Sequence, residues 1–419
     1  MQTQPEATRS AGASKLQSFV AQSLTHYSKS RNFDFGPGRR NNVSGLSPYI
    51  RHRLILEPEV LDAVLQSHSL ASANKFVEEV FWRAYFKGWL EHRPDVWRDY
   101  RTDVARLLKA LESDADLMRR YTNAISGSTG IDCFDAWASE LLETGYLHNH
   151  TRMWFASIWI FTLQLPWQLG ADFFYRNLID GDPASNTLSW RWVAGLHTKG
   201  KTYLALSSNI ARYTDGRFDP GGQLADSAPP RSESRMFPVQ DLPKPDLAPC
   251  DEGYGLLITE EDGSPEILDL PLPPSDAIGI VATTQRSPLP VGLPAAEFAT
   301  GAVMDALRRA TQHFAVDGQF ARSEDWNNVL TEWAKHRNLK TIVTAYAPVG
   351  PVAEMLTATK RHLQGEGIRL MQVRRRYDSV TWPHAQRGYF KLKVKIPAIL
   401  DELGIRTEDD LASAQSEAV

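Results

Sequence analysis

Seven prolines fall between Asp219 and Cys250 (Pro220, Pro229, Pro230, Pro238, Pro243, Pro245 and Pro249), and no other feature limits the folding of this chain as strongly. Proline fixes φ and lacks an N–H, so neither a helix nor a central strand can run through such a stretch. An extended linker over residues 219–252, laid along a surface, is expected there. The chain has 419 residues, enough for two or three bodies with their own cores.

The two sides of the linker carry different periodicities. From Lys15 to about Arg217, apolar residues recur at three and four, which argues for helices. Glu57–His68, Ala73–Glu91, Tyr100–Asn123, Asp132–Tyr146, Asn149–Gln164 and Gly170–Ile179 are the expected ones, punctuated by Gly-Pro-Gly at 36–38 and Asp-Gly-Asp-Pro at 180–183. Beyond the linker, Gly255–Thr259, Ile278–Thr283, Thr341–Ala345 and Arg369–Val373 are short, partly β-branched apolar runs. Helical stretches at 295–314, 324–337 and 349–364 separate the later ones. That alternation favours βαβ units and a parallel sheet. The expected organisation is a disordered 1–14, a helical domain over 15–218, the linker, a small α/β domain over 253–404 and a disordered tail over 405–419.

Composition excludes more than it identifies. Cys133 and Cys250 are the only cysteines, too few for a disulfide framework or a four-cysteine metal site, and no metal site is expected. The apolar stretch Met153–Trp167 is too short to span a bilayer, and the N-terminus has no apolar leader pattern, so a cytoplasmic protein without a membrane partner is expected. Net charge is −4, with 25 Lys+Arg against 23 Asp+Glu in residues 1–220 and 21 against 27 in 221–419; this neither supports nor excludes a local basic groove. Twelve tryptophans are many for this length.

The chemistry concentrates in GYLHNHTRMWFAS (145–157) and LIDGDPASNTLSWRW (178–192). Asn149, Arg152 and Met153 lie at i, i+3 and i+4 and share a helix face. Arg152 among aromatics needs a carboxylate, and Asp180 and Asp182 are the natural partners. Such a pair orients a heterocyclic ligand or, more commonly, braces two helices as a structural salt bridge. Glu79, Trp82 and Arg83 in EEVFWRAYF (78–86) repeat the geometry, suiting a planar substrate or an ordinary amphipathic face. In NNVSGLSPYIR (41–51), Ser47 reads as an N-cap with Pro48 at the first helical position, and exposed N–H groups at such a start can hold a phosphate.

LSPYIR, EEVFWRAYF, GYLHNHTRMWFAS and LIDGDPASNTLSWRW occur in the order and approximate spacing of the FAD-binding helical domain of DNA photolyases and cryptochromes, and residues 15–217 resemble that domain. The resemblance implies an all-α FAD-binding domain of photolyase type followed by a small α/β, Rossmann-like antenna domain, the reverse of the family's usual order, as a circular permutation would give. It implies FAD as cofactor, its diphosphate held along Val43–Ser47 by Ser44, Leu46 and Ser47, with Tyr27 a further flavin contact and Val43 standing where many relatives have threonine. Arg83, Asn149, Arg152, Asp180 and Asp182 match flavin-side positions, and Asn186 matches the residue facing flavin N5. Glu79, Trp82, Asn149, Met153 and Trp192 match the positions around a flipped cyclobutane pyrimidine dimer. Trp190 and Trp167 match the inner and middle electron-transfer tryptophans; no outer one stands near 112–116, where Trp97 and Trp159 are the substitutes.

The function this implies is blue-light-driven repair of UV-damaged DNA by a monomeric lyase, in which reduced flavin lends an electron to the dimer and receives it back. The alternatives are a cryptochrome-like photoreceptor that binds FAD without repairing DNA, and a flavin protein with a vestigial pocket. A second, antenna chromophore is left open. The run Arg374–Arg376 with Lys391, Lys393 and Lys395 faces either DNA or, more commonly for such runs, solvent.

Overall fold

The computed structural model describes residues 4–250 and 252–405. The first helix, Arg9–Gln22, starts six residues before the expected domain and inside the stretch expected to be disordered. Thr8 accepts the Ala11 N–H as its cap, and Arg9 donates to the Leu54 carbonyl and Ser264 and pairs with Glu59. That anchoring is long-range, which no local pattern discloses. The expected tail lies outside the described residues except for Ile405, which is buried.

The long central helix of the first half, Leu70–Glu91, is capped by Ser69 and buries residues around much of its circumference. The expected Tyr100–Asn123 helix is two, Pro94–Leu111 and Ala115–Ser126. Asp114 breaks it by capping the second, accepting the Leu117 N–H at 2.9 Å. Asn149–Ser157 passes into a π-turn at Ile158–Thr162. Trp167–Asn177 and Pro183–Val193 follow. They cross closely because residue 170 is glycine: a Cβ there would lie 2.3 Å from the Trp190 ring.

Beyond the linker, β1 (Gly255–Ile258), β2 (Asp276–Ile280), β3 (Gly318–Ala321), β4 (Thr341–Ala345) and β5 (Arg369–Val373) form a wholly parallel sheet in the order β3-β2-β1-β4-β5. Leu256 sits opposite both Ala277 and Val343, which fixes the central register. Helix Leu293–Phe314 covers one face through Val303, Ala306 and Ala310. Trp326–His336 and Pro351–Gly365 cover the other through Leu330, Leu356 and Leu363. Strand β3 was not among the expected strands: GQFA is short, polar in part, and half-exposed at an edge.

The two halves are joined by more than the linker. Residues grouped in sequence with the sheet, Tyr377, Ala385, Tyr389, Leu392 and Ile396, enter the same core as Phe76, Val77, Phe81 and Tyr85 of the central helix. Gly88 permits that crossing, since a Cβ would lie 2.9 Å from the Trp382 Cα. The loops after the strands turn towards the helical half. Arg51 donates to both oxygens of Glu261 (2.9 and 2.7 Å), Arg53 to Asp378 (2.6 Å), and Tyr346 and the Val349 N–H to Glu91 (2.7 and 2.6 Å). The carboxyl ends of parallel strands are where such sheets commonly hold ligands; here protein side chains take that edge. The proline-rich stretch has no regular structure and lies over the helices, with the Arg231 N–H on the Ala194 carbonyl (2.9 Å) and the Gln240 N–H on that of His92 (2.8 Å).

Candidate functional site

The site is built around the turn joining Trp167–Asn177 to Pro183–Val193. Asp182 caps the second helix, its Oδ1 accepting the Ser185 N–H at 2.7 Å, which aims Oδ2 inward at Lys87 Nζ (3.8 Å) and Arg51 Nε (3.9 Å). Burial alone would lift its pKa, but the charges of Lys87, Arg51 and Arg83 overcome this and hold the carboxyl at about 2. Asp180 accepts from Arg152 Nη2 at 2.9 Å, and Arg152 Nε donates to the Leu147 carbonyl at 2.9 Å. Burial opposes ionisation of Asp180 too, and Arg152, the Ser47 hydroxyl and Arg83 outweigh it, so its pKa lies below the usual range.

Four buried polar atoms here, Asp180 Oδ1, Asp182 Oδ2, Arg83 Nη1 and Lys87 Nζ, have no hydrogen-bond partner among the described residues. Unsatisfied buried groups are costly, and two acceptors beside two donors suit a ligand rich in both kinds of group. Asn186 adds a fifth contact of fixed orientation. Its Nδ2 donates to the Ala171 carbonyl at 2.8 Å; a carbonyl only accepts, so the amide oxygen is left to accept from something else. The arrangement fits FAD, whose ring, ribityl chain and diphosphate offer these complementary groups.

The upstream loop differs from the sequence expectation in one respect. The short helix is Ser47–Arg51 with Leu46 at the cap position, so Ser47 is its first residue, not its cap. Its hydroxyl is among the groups that help keep Asp180 ionised, while Ser44 Oγ accepts the Leu46 N–H at 3.3 Å. Leu46 is fully buried. Tyr27 packs edge-on against Phe19 and Phe76 (5.7 and 5.4 Å between centroids), as a core residue.

Of the residues matched to a dimer pocket, Trp82 and Glu79 are already engaged. Tyr389 stacks on the Trp82 indole at 3.6 Å and 11°, covering one of its two faces, and the indole is half-buried. Glu79 is bound by Arg31; burial raises its pKa although Arg31 pulls the other way. Asn149 is exposed at the start of its helix and Met153 is half-buried. Trp192 stacks on Tyr203 at 5.7 Å. These residues sit on three helices, of which Pro183–Val193 packs on both others.

Trp190 meets Trp159 edge-on at 6.2 Å. Trp167 stacks on Tyr100 at 5.8 Å, and Tyr100 leans on Trp97 at 5.4 Å; Trp97 and Trp159 are both buried. The arginine run is divided: Arg374 and Arg375 are half-buried on protein partners, and Arg376 is exposed. Arg374 donates to the Pro243 carbonyl and Ser379, Arg375 grips Asp262 (2.6 and 2.7 Å), and Arg376 donates to the Glu402 carbonyl. The buried carboxylate of Asp262 demands Arg375 as its partner.

Sequence reasoning missed Lys87, Arg51, Arg31 and Tyr389. Lys87 was findable: it follows Arg83 by four residues and Glu79 by eight, on the same helix face. Tyr389 was not, because its partner is 307 positions away in sequence.

Residues 76–227 match the family described as the FAD binding domain of DNA photolyase. The chain is 31% identical over 209 residues to a deoxyribodipyrimidine photo-lyase of Alkalihalophilus pseudofirmus, covering 50% of this chain and 42% of the relative. It is 35% identical over 181 residues to that of Streptomyces griseus, covering 43% and 37%. The helical half of the chain is thus similar to the FAD-binding half of photolyases. It spans less than half the length of these relatives. Among solved structures, a bacterial class III photolyase from Agrobacterium tumefaciens aligns over 50% of this chain and 42% of its own, at 27% identity and a TM-score of 0.42. No described helix is long and apolar enough to cross a membrane.

Proposed function

We propose that this protein is a light-driven, FAD-dependent lyase that splits cyclobutane pyrimidine dimers in UV-damaged DNA. The observation that carries the reading is the Arg152–Asp180 pair beside Asp182, Arg83 and Lys87, where buried donors and acceptors are left without hydrogen bonds. FAD, when bound, supplies the photoexcited electron that opens the dimer ring. The chain's own part is positional. Asp180 and Asp182, held ionised, accept N–H or hydroxyl groups of the cofactor; Arg152 keeps Asp180 in place; Asn186 presents an oxygen at a fixed angle; Ser44, Leu46 and Ser47 take the diphosphate.

Trp82, backed by Tyr389, offers one indole face to an extruded pyrimidine dimer, with Trp192 and Met153 completing the wall. Asn149 and Glu79 stand for the polar contacts to the bases. The pairing of Glu79 with Arg31 favours a second reading, a cryptochrome-like photoreceptor, since a lesion must displace or accommodate that arginine. The sheet order β3-β2-β1-β4-β5 supports a Rossmann-like, antenna-type second domain over 253–404 in reversed order. Blue-light illumination of the purified full chain with dimer-containing DNA decides between the readings: dimers lost only in the light support repair, and bound FAD with dimers intact supports the photoreceptor.

A further inference from the structure

The short helix Tyr389–Lys393 presents two unlike sides. Its inner side, Tyr389 and Leu392, is buried in the shared core. Its outer side leaves Phe390 74% and Val394 71% exposed, among the exposed cations Arg387, Lys391 and Lys395. Core packing does not explain the exposure, since the helix is already anchored by Tyr389 on Trp82 and by the Tyr389 hydroxyl on the Glu78 carbonyl (2.9 Å). Lys393 is used internally, on Glu78 at 2.8 Å. Arg387, Lys391 and Lys395 pair with no carboxylate among the described residues. An open phenyl ring set between unpaired cations is the pattern that stacks a base and neutralises phosphates. Phe390 follows Tyr389, whose ring stacks on the indole proposed to receive the lesion and meets the Phe390 ring at 6.3 Å.

We infer that this surface contacts the DNA duplex beside the extruded lesion, with Lys391, Lys395 and Arg387 on phosphates and Phe390 against a base exposed by the extrusion. The inference rests on the repair reading for its placement, and charge complementarity selects nucleic acid as the occupant. The test measures affinity of the full chain and two variants for dimer-containing duplex, undamaged duplex and dimer-containing single strand across salt concentrations.

Lys391→Gln with Lys395→Gln is expected to weaken both duplexes alike and to reduce the slope of log K against log salt by about 2. Phe390→Ala is expected to weaken the dimer duplex by about 5- to 150-fold, as loss of one base stack does, with less effect on the single strand and with FAD content and Tm unchanged. Variants matching the parent in affinity and slope would overturn the inference while leaving repair intact. A fall in Tm for Phe390→Ala without a change in binding would overturn it too, by showing that the ring is covered by protein. A parent without preference for dimers removes the repair reading, and the salt slope of the lysine variant then decides this surface by itself.

Discussion

At the scale of single residues, the site works by holding ionised carboxylates where burial disfavours them. Asp182 at about 2 and a depressed Asp180 are possible only because Lys87, Arg51, Arg83 and Arg152 surround them. Lys87 is destabilised in turn: burial and the nearby arginines lower its pKa, with Asp182 opposing. Arg152→Ala strips Asp180 of its hydrogen-bonded partner and is expected to release FAD, read as loss of flavin absorbance after purification. Trp82→Ala should keep the flavin and lose about 1–3 kcal/mol of affinity for dimer-containing DNA, the worth of one base–aromatic stack. Parent-like affinity in that variant would mean that the lesion lies elsewhere.

At the scale of elements, helix crossings position the site, and small residues decide how near they come. Gly170→Ala drives a methyl into the Trp190 ring. It is expected to cost about 1–3 kcal/mol of stability and, because the neighbouring Ala171 carbonyl fixes Asn186, to loosen flavin retention as well; thermal unfolding and flavin content measured together check both. The longer helices and four of the five strands were legible in the sequence because their periodicities are local, whereas Pro183–Val193, which carries Asn186, was not among the expected helices. The Arg152–Asp180 pair was legible too, from helix spacing and an acidic turn. The break at Asp114, the early start at Arg9 and strand β3 were not read: a cap competes with periodicity at the first, and long-range contacts create the other two.

At the scale of the whole molecule, the two halves share one of their cores, the one that joins the central helix to Tyr377, Tyr389 and Leu392. The buried pairs Arg51–Glu261 and Arg53–Asp378 lock the sheet's loop edge to the helices, which sequence could not disclose because the partners lie hundreds of residues apart. Glu91 is the titratable link: burial lifts its pKa to about 7 against the pull of its Tyr346 and Val349 hydrogen bonds. A carboxyl raised in the folded state binds its proton more tightly there than in the unfolded chain. Its contribution to stability is therefore full below pH 4.5 and is lost as pH rises to about 7. Glu91→Gln removes that titration, so the stability of the parent relative to the variant should fall across this window, by roughly 2–3 kcal/mol. Denaturant unfolding at several pH values checks it, and a pH-independent difference would place the proton elsewhere.

The claim on which the rest depends is that the cup of Asp180, Asp182, Arg83, Lys87, Arg152 and Asn186 encloses a flavin. Purification of the full chain and of Asp180→Asn, followed by titration of each with FAD, tests this most directly. One FAD bound per chain in the parent, with a large loss of affinity in the variant, is the expected result. A parent that takes up no FAD, or a variant that binds it equally well, would contradict the account.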